Sequence, residues 1–452
     1  MSRGDTAMND SLLITGGTVL TVNETNEVIE VGAVLIEQGR IADVGEAAVL
    51  EAKYSNIEKL DAAGHVVLPG LVNLHLHSGL IRGTAEDLPV FEWLTKYVDP
   101  KHRALTDELA YAAARLSYTE GLLAGTTCVM DMYRFMHRCA DAAEQLGLRA
   151  TLAPYVVDKP GMDYFESLDK NIRLVEERNR TANGRIQVWF ALEHLTYCTE
   201  DAYRRAAKLA EKYDTGIHTH GEESIAMARR LHAETGRWPV ELFYDRGILG
   251  PKTVLAHCVW LQDSEMELLA KTGTSVAHCP VSNLKLASGI APIKELLDLG
   301  VNVGIGTDGV KENNSLDMLE EMKYVPLLQK ARLLDATAIP AEVALRMATI
   351  DGAKALGLDK EIGSLEIGKK ADLIMVDFRK HHLTPIIRGK YNNAVSNLVY
   401  SASGSDVSHV FIDGKPIVRE RKLLTGDAEA IRLEAQEAAE KLFELREPFI
   451  PV

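Results

Sequence analysis

The sequence predicts an α/β protein: a (β/α)8 barrel of the TIM type with a small β-sandwich domain built from both chain ends. In the middle of the chain, eight runs rich in Val, Ile and Leu alternate with amphipathic segments, a pattern typical of parallel strands joined by crossover helices. Both ends instead contain short alternating runs separated by glycine-rich turns, which is typical of antiparallel β structure. The 452 residues suffice for one large core with an accessory domain.

Four segments follow from these patterns. They are the N-terminal part of the sandwich at 1–68, the barrel at 69–366, the C-terminal part of the sandwich at 367–426, and a terminal helix and tail at 427–452. We expect the two β-rich ends to pack together as one domain. The terminal helix has one apolar face, which predicts a docked structural helix: Ile431, Ala435, Ala438, Leu442 and Leu445.

Polar residues collect at the carboxyl ends of the predicted barrel strands, the face where barrels build active sites. The strands are predicted at 70–77, 126–133, 149–158, 186–195, 216–221, 253–260, 275–283 and 302–309. The polar side chains at or next to their ends are His75, His77, Asp131, Glu193, His194, His218, His220, Glu223, His257, His278 and Asp308. Seven of the 14 histidines belong to this set, which indicates a site and not histidines scattered through a core.

Charge and cysteine usage narrow the class of function. The formal net charge of -15 argues against nucleic acid or an anionic membrane as the partner and leaves small-molecule substrates open. The five cysteines form no C-x-x-C pair and leave one over in any disulfide scheme, which favours a reducing compartment. Since we find neither a signal peptide nor an apolar run of membrane-spanning length, we expect a cytoplasmic protein.

The first strand carries two histidines two residues apart. In a strand, side chains i and i+2 point to the same side, so His75 and His77 project together. Imidazoles combined with one carboxylate suit zinc or iron, and a catalytic metal keeps one coordination position open for water. Glu223, three residues after His220, can then reach the substrate as a general acid, while Asp308 can accept a proton from the water.

Six ordered segments resemble the amidohydrolase superfamily, and more closely its branch of methylthioadenosine/S-adenosylhomocysteine deaminases and s-triazine hydrolases. The resemblance covers nearly the whole chain and implies a barrel capped by a β-sandwich. The segments are "LPGLVNLHLH", "HTHGEES", "VLAHCVWL", "VAHCPVSNLKLASGIAP", "GIGTDGVKENNSLDMLEEMK" and "GSLEIGKKADLIMVD".

The resemblance also implies a site. One divalent metal, zinc or iron, would have four ligands: His75, His77, His220 and Asp308. Glu223 would protonate a ring nitrogen of the substrate, and His257 would hold and polarise the attacking water or the developing tetrahedral oxygen. Metal-bound hydroxide would attack an electron-poor ring carbon. Binuclear relatives bridge two metals with a lysine, or sometimes a carboxylate, of the fourth strand. No lysine stands there, and the H-x-x-E of the fifth strand resembles that of mononuclear members, so we expect one metal; the roles of Glu193 and His278 stay open.

The predicted function is hydrolytic deamination of a nitrogen heterocycle of the s-triazine, pterin or purine type. Alternatives on the same scaffold are a methylthioadenosine/S-adenosylhomocysteine-type nucleoside deaminase and a triazine chlorohydrolase. A non-catalytic structural relative is the alternative of another class, but the expected ligands and Glu223 are all retained. The family resemblance also implies a homodimer.

Departures from the family pattern concern the substrate. His102 stands about where nucleoside deaminases carry an acidic residue, Lys311 and Glu312 form a charged pair after the metal aspartate, and Trp260 replaces a frequent histidine. The segment "TLAPYVVDKP" lacks an arginine that those enzymes use. These differences favour a compact heterocycle. The candidate substrate-binding residues are Trp93, His102, His194, Trp260 and Glu312, whereas we expect His218 to pack or to support a ligand.

Overall fold

Strands from both chain ends form one nine-stranded sheet. The structure, a computed structural model, describes residues 11–84, 86–88 and 90–451. The N-terminal strands are β1 (Ser11–Leu20), β2 (Val28–Glu37), β3 (Arg40–Glu46), β4 (Glu58–Asp61) and β5 (His65–Pro69). The chain then continues into the central strands before it returns to this sheet.

The central strands form two parallel sheets, which confirms the predicted α/β class. They are β6 (Leu71–Leu76), β7 (Thr126–Tyr133), β8 (Arg149–Pro154), β9 (Ile186–Val188), β10 (Phe190–Ala191), β11 (Ile217–Gly221), β12 (Thr253–His257), β13 (Ser275–His278) and β14 (Val303–Ile305). The strand orders are β6-β7-β8-β9 and β10-β11-β12-β13-β14. The Asp308 amide, beyond β14, donates to the His75 carbonyl of β6 at 2.9 Å, so the outer strands of the two sheets meet. This arrangement is consistent with a TIM-type barrel.

The C-terminal strands complete the first sheet. They are β15 (Leu373–Asp377), β16 (Val407–Ile412), β17 (Lys415–Arg419) and β18 (Lys422–Leu423). The sheet has the order β18-β17-β16-β15-β5-β1-β2-β3, with β4 paired to β1. β15 pairs with β5 in antiparallel orientation, and this pairing joins the C-terminal strands to the N-terminal strands directly.

Helices surround the parallel strands. The longer α-helices are Asp107–Leu123, Met136–Leu146, Leu168–Arg178, Glu200–Tyr213, Ile225–Thr235, Asp263–Thr272, Met318–Leu333, Ala394–Ser401 and Ala428–Arg446. The shorter ones are Ala47–Lys53, Val90–Trp93, Asp99–Ala104, Thr181–Gly184, Pro239–Asp245, Pro280–Lys285, Ile293–Asp298, Ala341–Met347 and Ile350–Ala355, and Leu94–Val98 is a π-helix. Within the described residues, every helix is too short or too polar to cross a membrane.

The fourth and seventh predicted strands differ most from those observed, and the third, sixth and eighth also end earlier than predicted. The fourth is interrupted at Trp189, because β9 pairs with β8 whereas β10 pairs with β11. A Cβ at Gly216 would lie 2.5 Å from the Trp189 ring, so this break depends on glycine at that position. The seventh is shorter than predicted, because Pro280 begins a helix where the strand prediction continued to residue 283.

A buried ion pair links the parallel strands to the nine-stranded sheet. Arg149 of β8 donates from Nε and Nη2 to Asp372 at 2.9 and 3.1 Å, and both side chains are buried. We expect Arg149→Met to lower the free energy of unfolding by about 3–5 kcal/mol, since it leaves Asp372 buried without its cation. Urea denaturation measures this loss. Arg204→Met, which breaks an exposed pair with Glu200, is the control with an effect below about 1 kcal/mol; equal losses in the two variants would contradict the prediction.

Candidate active site

Four histidines and an aspartate converge where the parallel strands end. Ligand atoms of His75, His77 and His220 all lie within 4.8 Å of one another, and so do those of His75, His257 and Asp308. All five side chains are buried. The parallel register brings them together from β6 and the residue after its end, from β11 and β12, and from the turn after β14.

Backbone carbonyls fix the tautomers of two of these rings. His77 Nδ1 lies 2.6 Å from the Met132 carbonyl, and His220 Nδ1 lies 2.5 Å from the Glu193 carbonyl. A carbonyl only accepts, so each Nδ1 carries the proton and each Nε2 presents a lone pair. The two Nε2 atoms are 3.2 Å apart. Two facing lone pairs repel unless a cation lies between them, so this geometry fits a bound metal ion.

His75 is oriented through a second histidine. His218 Nδ1 lies 3.0 Å from the Val254 carbonyl, so Nδ1 is the donor and the Nε2 of a neutral His218 ring accepts. That Nε2 lies 2.8 Å from His75 Nδ1, which therefore donates. His75 Nε2 is left with its lone pair directed toward Asp308 Oδ1, at 3.5 Å, and has no hydrogen-bond partner in the described part of the chain. This contact is compatible with both predicted roles of His218, packing and support of a ligand.

The helix after β13 positions Asp308 and His257. Ser282 Oγ donates to Asp308 Oδ2 at 2.6 Å, and His257 Nδ1 lies 2.9 Å from Asn283 Oδ1. His257 and Asp308 both have left-handed backbone, with φ of 71° and 61°, a conformation that non-glycine residues adopt at an energetic cost. Such strain is common at functional sites. The sequence prediction missed Ser282 and Asn283 because it placed them in a strand.

Burial determines the charge states of this cluster. It lowers the pKa values of His77 and His220 well below the usual range, and the neighbouring imidazoles add to this effect, so both rings are neutral at pH 7. The Ser282 hydroxyl and the Gly309 amide both donate to Asp308, and these contacts favour its carboxylate form. Neutral imidazoles and one carboxylate form a donor set suited to zinc or iron.

A cavity adjoins the cluster and contains most of the predicted site residues. Its lining includes Trp93, His194, Glu223, His257, Asp308 and Glu312, together with the rings of His77 and His220. Glu223 Oε1 accepts only a long contact of 3.4 Å, from Ser288 Oγ, within the described structure. The predicted metal ligands His77, His220 and Asp308, the carboxylate of Glu223 and the ring of Trp93 therefore line one cavity.

His102 and Trp260 lie outside this lining. The His102 ring is buried behind the cavity wall, 5.2 Å from Tyr155 and 4.9 Å from Phe165 between ring centres. Trp260 is 36% exposed and donates from its indole nitrogen to the Ser288 carbonyl at 2.7 Å. Sequence spacing alone did not distinguish these positions from the cavity wall.

Two buried groups with open roles have distinct surroundings. Glu193 lines the cavity and accepts from the Tyr155 hydroxyl at 3.1 Å, and burial raises the pKa of Glu193 to about 8. His278 has no hydrogen-bond partner for either ring nitrogen among the described residues, and burial lowers its pKa to about 3. Glu193 also contributes through its backbone carbonyl, which holds His220; the sequence carries no signal for that contact.

Sequence comparison identifies relatives along nearly the whole chain. The amidohydrolase family model matches residues 66–417, and an imidazolonepropionase-like composite domain of bacteria matches residues 32–54. A 5-methylthioadenosine/S-adenosylhomocysteine deaminase of Syntrophobacter fumaroxidans is 41% identical over 93% of this chain and 95% of its own length. A 5'-deoxyadenosine deaminase of Methanosarcina mazei is 40% identical over 95% and 98%.

A solved structure resembles the whole fold. The crystal structure of an adenosine deaminase from Xanthomonas campestris, with bound zinc, superposes with a TM-score of 0.91. It is 32% identical, and the match covers 96% of this chain and 98% of that one. The resemblance to amidohydrolases expected from the six motifs is thereby confirmed.

Proposed function

The chain belongs to the amidohydrolase family, and we propose that it is a metal-dependent aminohydrolase that removes an amino group from a nitrogen heterocycle of the purine, pterin or s-triazine type. The observation that carries the proposal is the convergence of inward-facing imidazole lone pairs and Asp308 beside Glu223 in one cavity. The deaminases named above, whose names all give adenine nucleosides as substrates, support a purine-type ring.

Four residues would hold one divalent metal ion, zinc or iron: His75, His77, His220 and Asp308. The zinc in the related adenosine deaminase structure favours zinc. A divalent metal, when bound, supplies the Lewis acidity that makes water a nucleophile near neutral pH. Because the rings are already neutral and aligned, the site requires little rearrangement to bind the ion.

The residues around the ligands would move the protons. Glu223 lines the cavity with a free carboxylate oxygen, so we assign it the protonation of the ring nitrogen next to the attacked carbon. Asp308 would accept a proton from the attacking water. His257 has its Nδ1 against Asn283 and its Nε2 3.9 Å from Asp308 Oδ2, so we assign this Nε2 to hold that water. The water oxygen bonds to the ring carbon, and the C–N bond to the amino group breaks. One water proton replaces the proton that Glu223 gave to the ring nitrogen, and the other, passed on by Asp308, converts the leaving amino group into ammonia.

An ammonia-release assay tests this function. Metal-loaded protein is incubated with aminopurine bases, aminopurine nucleosides, aminopterins and aminotriazines, with metal-depleted protein as the control. We expect metal-dependent ammonia from at least one class. A chlorotriazine in the same panel separates deamination from dechlorination, because the latter releases chloride. Absence of ammonia from every class, with the metal fully bound, would contradict the proposal.

Three further inferences concern architecture and setting. We propose that the two parallel sheets close into one barrel, supported by the bond between Asp308 and His75. We also propose that the nine-stranded sheet folds into a sandwich, because one buried cluster contains Ile14 and Val34 together with Met375. The five buried, unpaired cysteines support a reducing compartment such as the cytoplasm. The homodimer stays a prediction that light scattering checks.

Removal of the His218 contact should weaken the metal site. We expect His218→Leu to lower zinc affinity about 10- to 100-fold, the usual effect of losing the hydrogen bond behind a metal-binding histidine. His218→Asn, which retains an acceptor, should recover part of the affinity. Competition with a chromogenic chelator measures both variants without reference to activity. Unchanged affinity in His218→Leu would show that His75 does not depend on this contact.

A further inference from the structure

Lys311 and Glu312 form a buried ion pair in the cavity wall. Both line the cavity, and their side chains are only 5% and 6% exposed. Lys311 Nζ contacts Glu312 Oε1. Removing two charges from water is unfavourable, and an apolar pair of similar size often stabilises a fold equally well. The pair is therefore not explained by stability alone.

Each partner has hydrogen-bonding capacity left over. Glu312 Oε2 is buried and has no hydrogen-bond partner within the described residues. It lies so close to Gly309 that a Cβ there would collide with it. Burial lowers the pKa of Lys311 to about 8, so its ammonium group, with three N–H donors, still predominates at pH 7. The wall thus presents a donor and a free acceptor side by side.

The surroundings of the pair suit a flat ring. Lys311 Nζ is 5.4 Å from the centre of the Trp93 ring, and Trp93 lines the same cavity. An indole face favours stacking on a planar heterocycle. Asp308 and Glu223 line the same cavity as Lys311 and Glu312, so the pair faces the space next to the proposed metal ligands.

We propose that the pair of Lys311 and Glu312 recognises a substrate group that presents a hydrogen-bond acceptor next to a donor. This inference rests on the proposed deaminase function and specifies its substrate class. Two chemical sources have this arrangement: the C=O and N–H of a ring lactam, and the neighbouring hydroxyls of a ribose. Lys311 donates to the acceptor, and Glu312 Oε2 accepts from the donor.

Matched substrates distinguish the two sources. For the lactam, guanine is compared with 2-aminopurine; for the ribose, adenosine is compared with 2',3'-dideoxyadenosine. We expect Lys311→Met and Glu312→Gln each to reduce kcat/KM about 10- to 100-fold for either guanine or adenosine, whichever carries the group that the pair recognises. For the matched substrate that lacks the group, the change in kcat/KM should stay within about twofold. That substrate makes no contact with the pair in either wild type or variant, so the substitution removes nothing. Melting temperature and zinc content verify that each variant folds.

Lys294→Met is the control, since Lys294 forms a partly exposed helical pair with Asp298. Equal losses for both members of each matched set, or no loss at all, would overturn the inference and leave the deaminase proposal intact. Calorimetric titration of the same compounds gives an independent readout. Binding that depends on Lys311 and Glu312 without ammonia release from wild type would support the inference and reject the function. If no compound binds and none is turned over, the inference about the pair is overturned.

Discussion

Replacing His75 by alanine is expected to abolish metal binding and turnover. His75 is completely buried and belongs to both groups of converging ligands, one with His77 and His220 and the other with His257 and Asp308. Loss of a contact behind a metal ligand already lowers affinity about 10- to 100-fold, so loss of the ligand itself should exceed that. Metal content after dialysis, measured by mass spectrometry, and ammonia release check the two effects.

The control for this experiment is His381→Ala. His381 lies exposed in the short 3-10 helix His381–Leu383, away from the cavity, and should keep full metal content. Because the alanine at position 75 also removes a buried ring, circular dichroism has to show that the fold persists. A folded His75→Ala protein with full metal content and unchanged activity would contradict the assignment of the ligand set.

The convergence of the histidines could be predicted because it follows from strand geometry alone. Alternation along a strand places His75 and His77 on one side, and parallel strands carry their carboxyl ends to the same edge. These rules need no knowledge of side-chain packing. They therefore indicated a metal site from the printed sequence, although they gave no tautomers and no distances.

Other features depend on contacts between distant segments. The interruption at Trp189 arises because its ring packs against Gly216, and the helix that supplies Ser282 and Asn283 begins at Pro280 inside an apolar stretch that resembles a strand. The burial of His102 behind Tyr155 depends on how the helix Asp99–Ala104 packs. The spacing of apolar residues indicates which face of a segment is buried, but it does not indicate which other segment packs against that face.

Glu223→Gln is expected to retain the metal and lose turnover by about 10²- to 10⁴-fold, the usual contribution of a general acid or base. Glutamine preserves the size of the side chain and removes the transferable proton. The loss should appear in kcat, while the affinity for an unreactive ring analogue changes little. Stopped assays for ammonia, zinc content and calorimetric titration measure these three quantities separately.

The adjacent Glu222 offers a matched control for Glu223. Burial and the nearby carboxyl of Glu265 raise the pKa of Glu222 well above its usual range, so Glu222 is protonated at neutral pH. Glu222→Gln therefore replaces a neutral acid by a neutral amide of the same shape and should keep kcat within about threefold, whereas the same change one residue later removes an active proton donor. Full activity in Glu223→Gln, or equal losses in both variants, would require another group to protonate the ring.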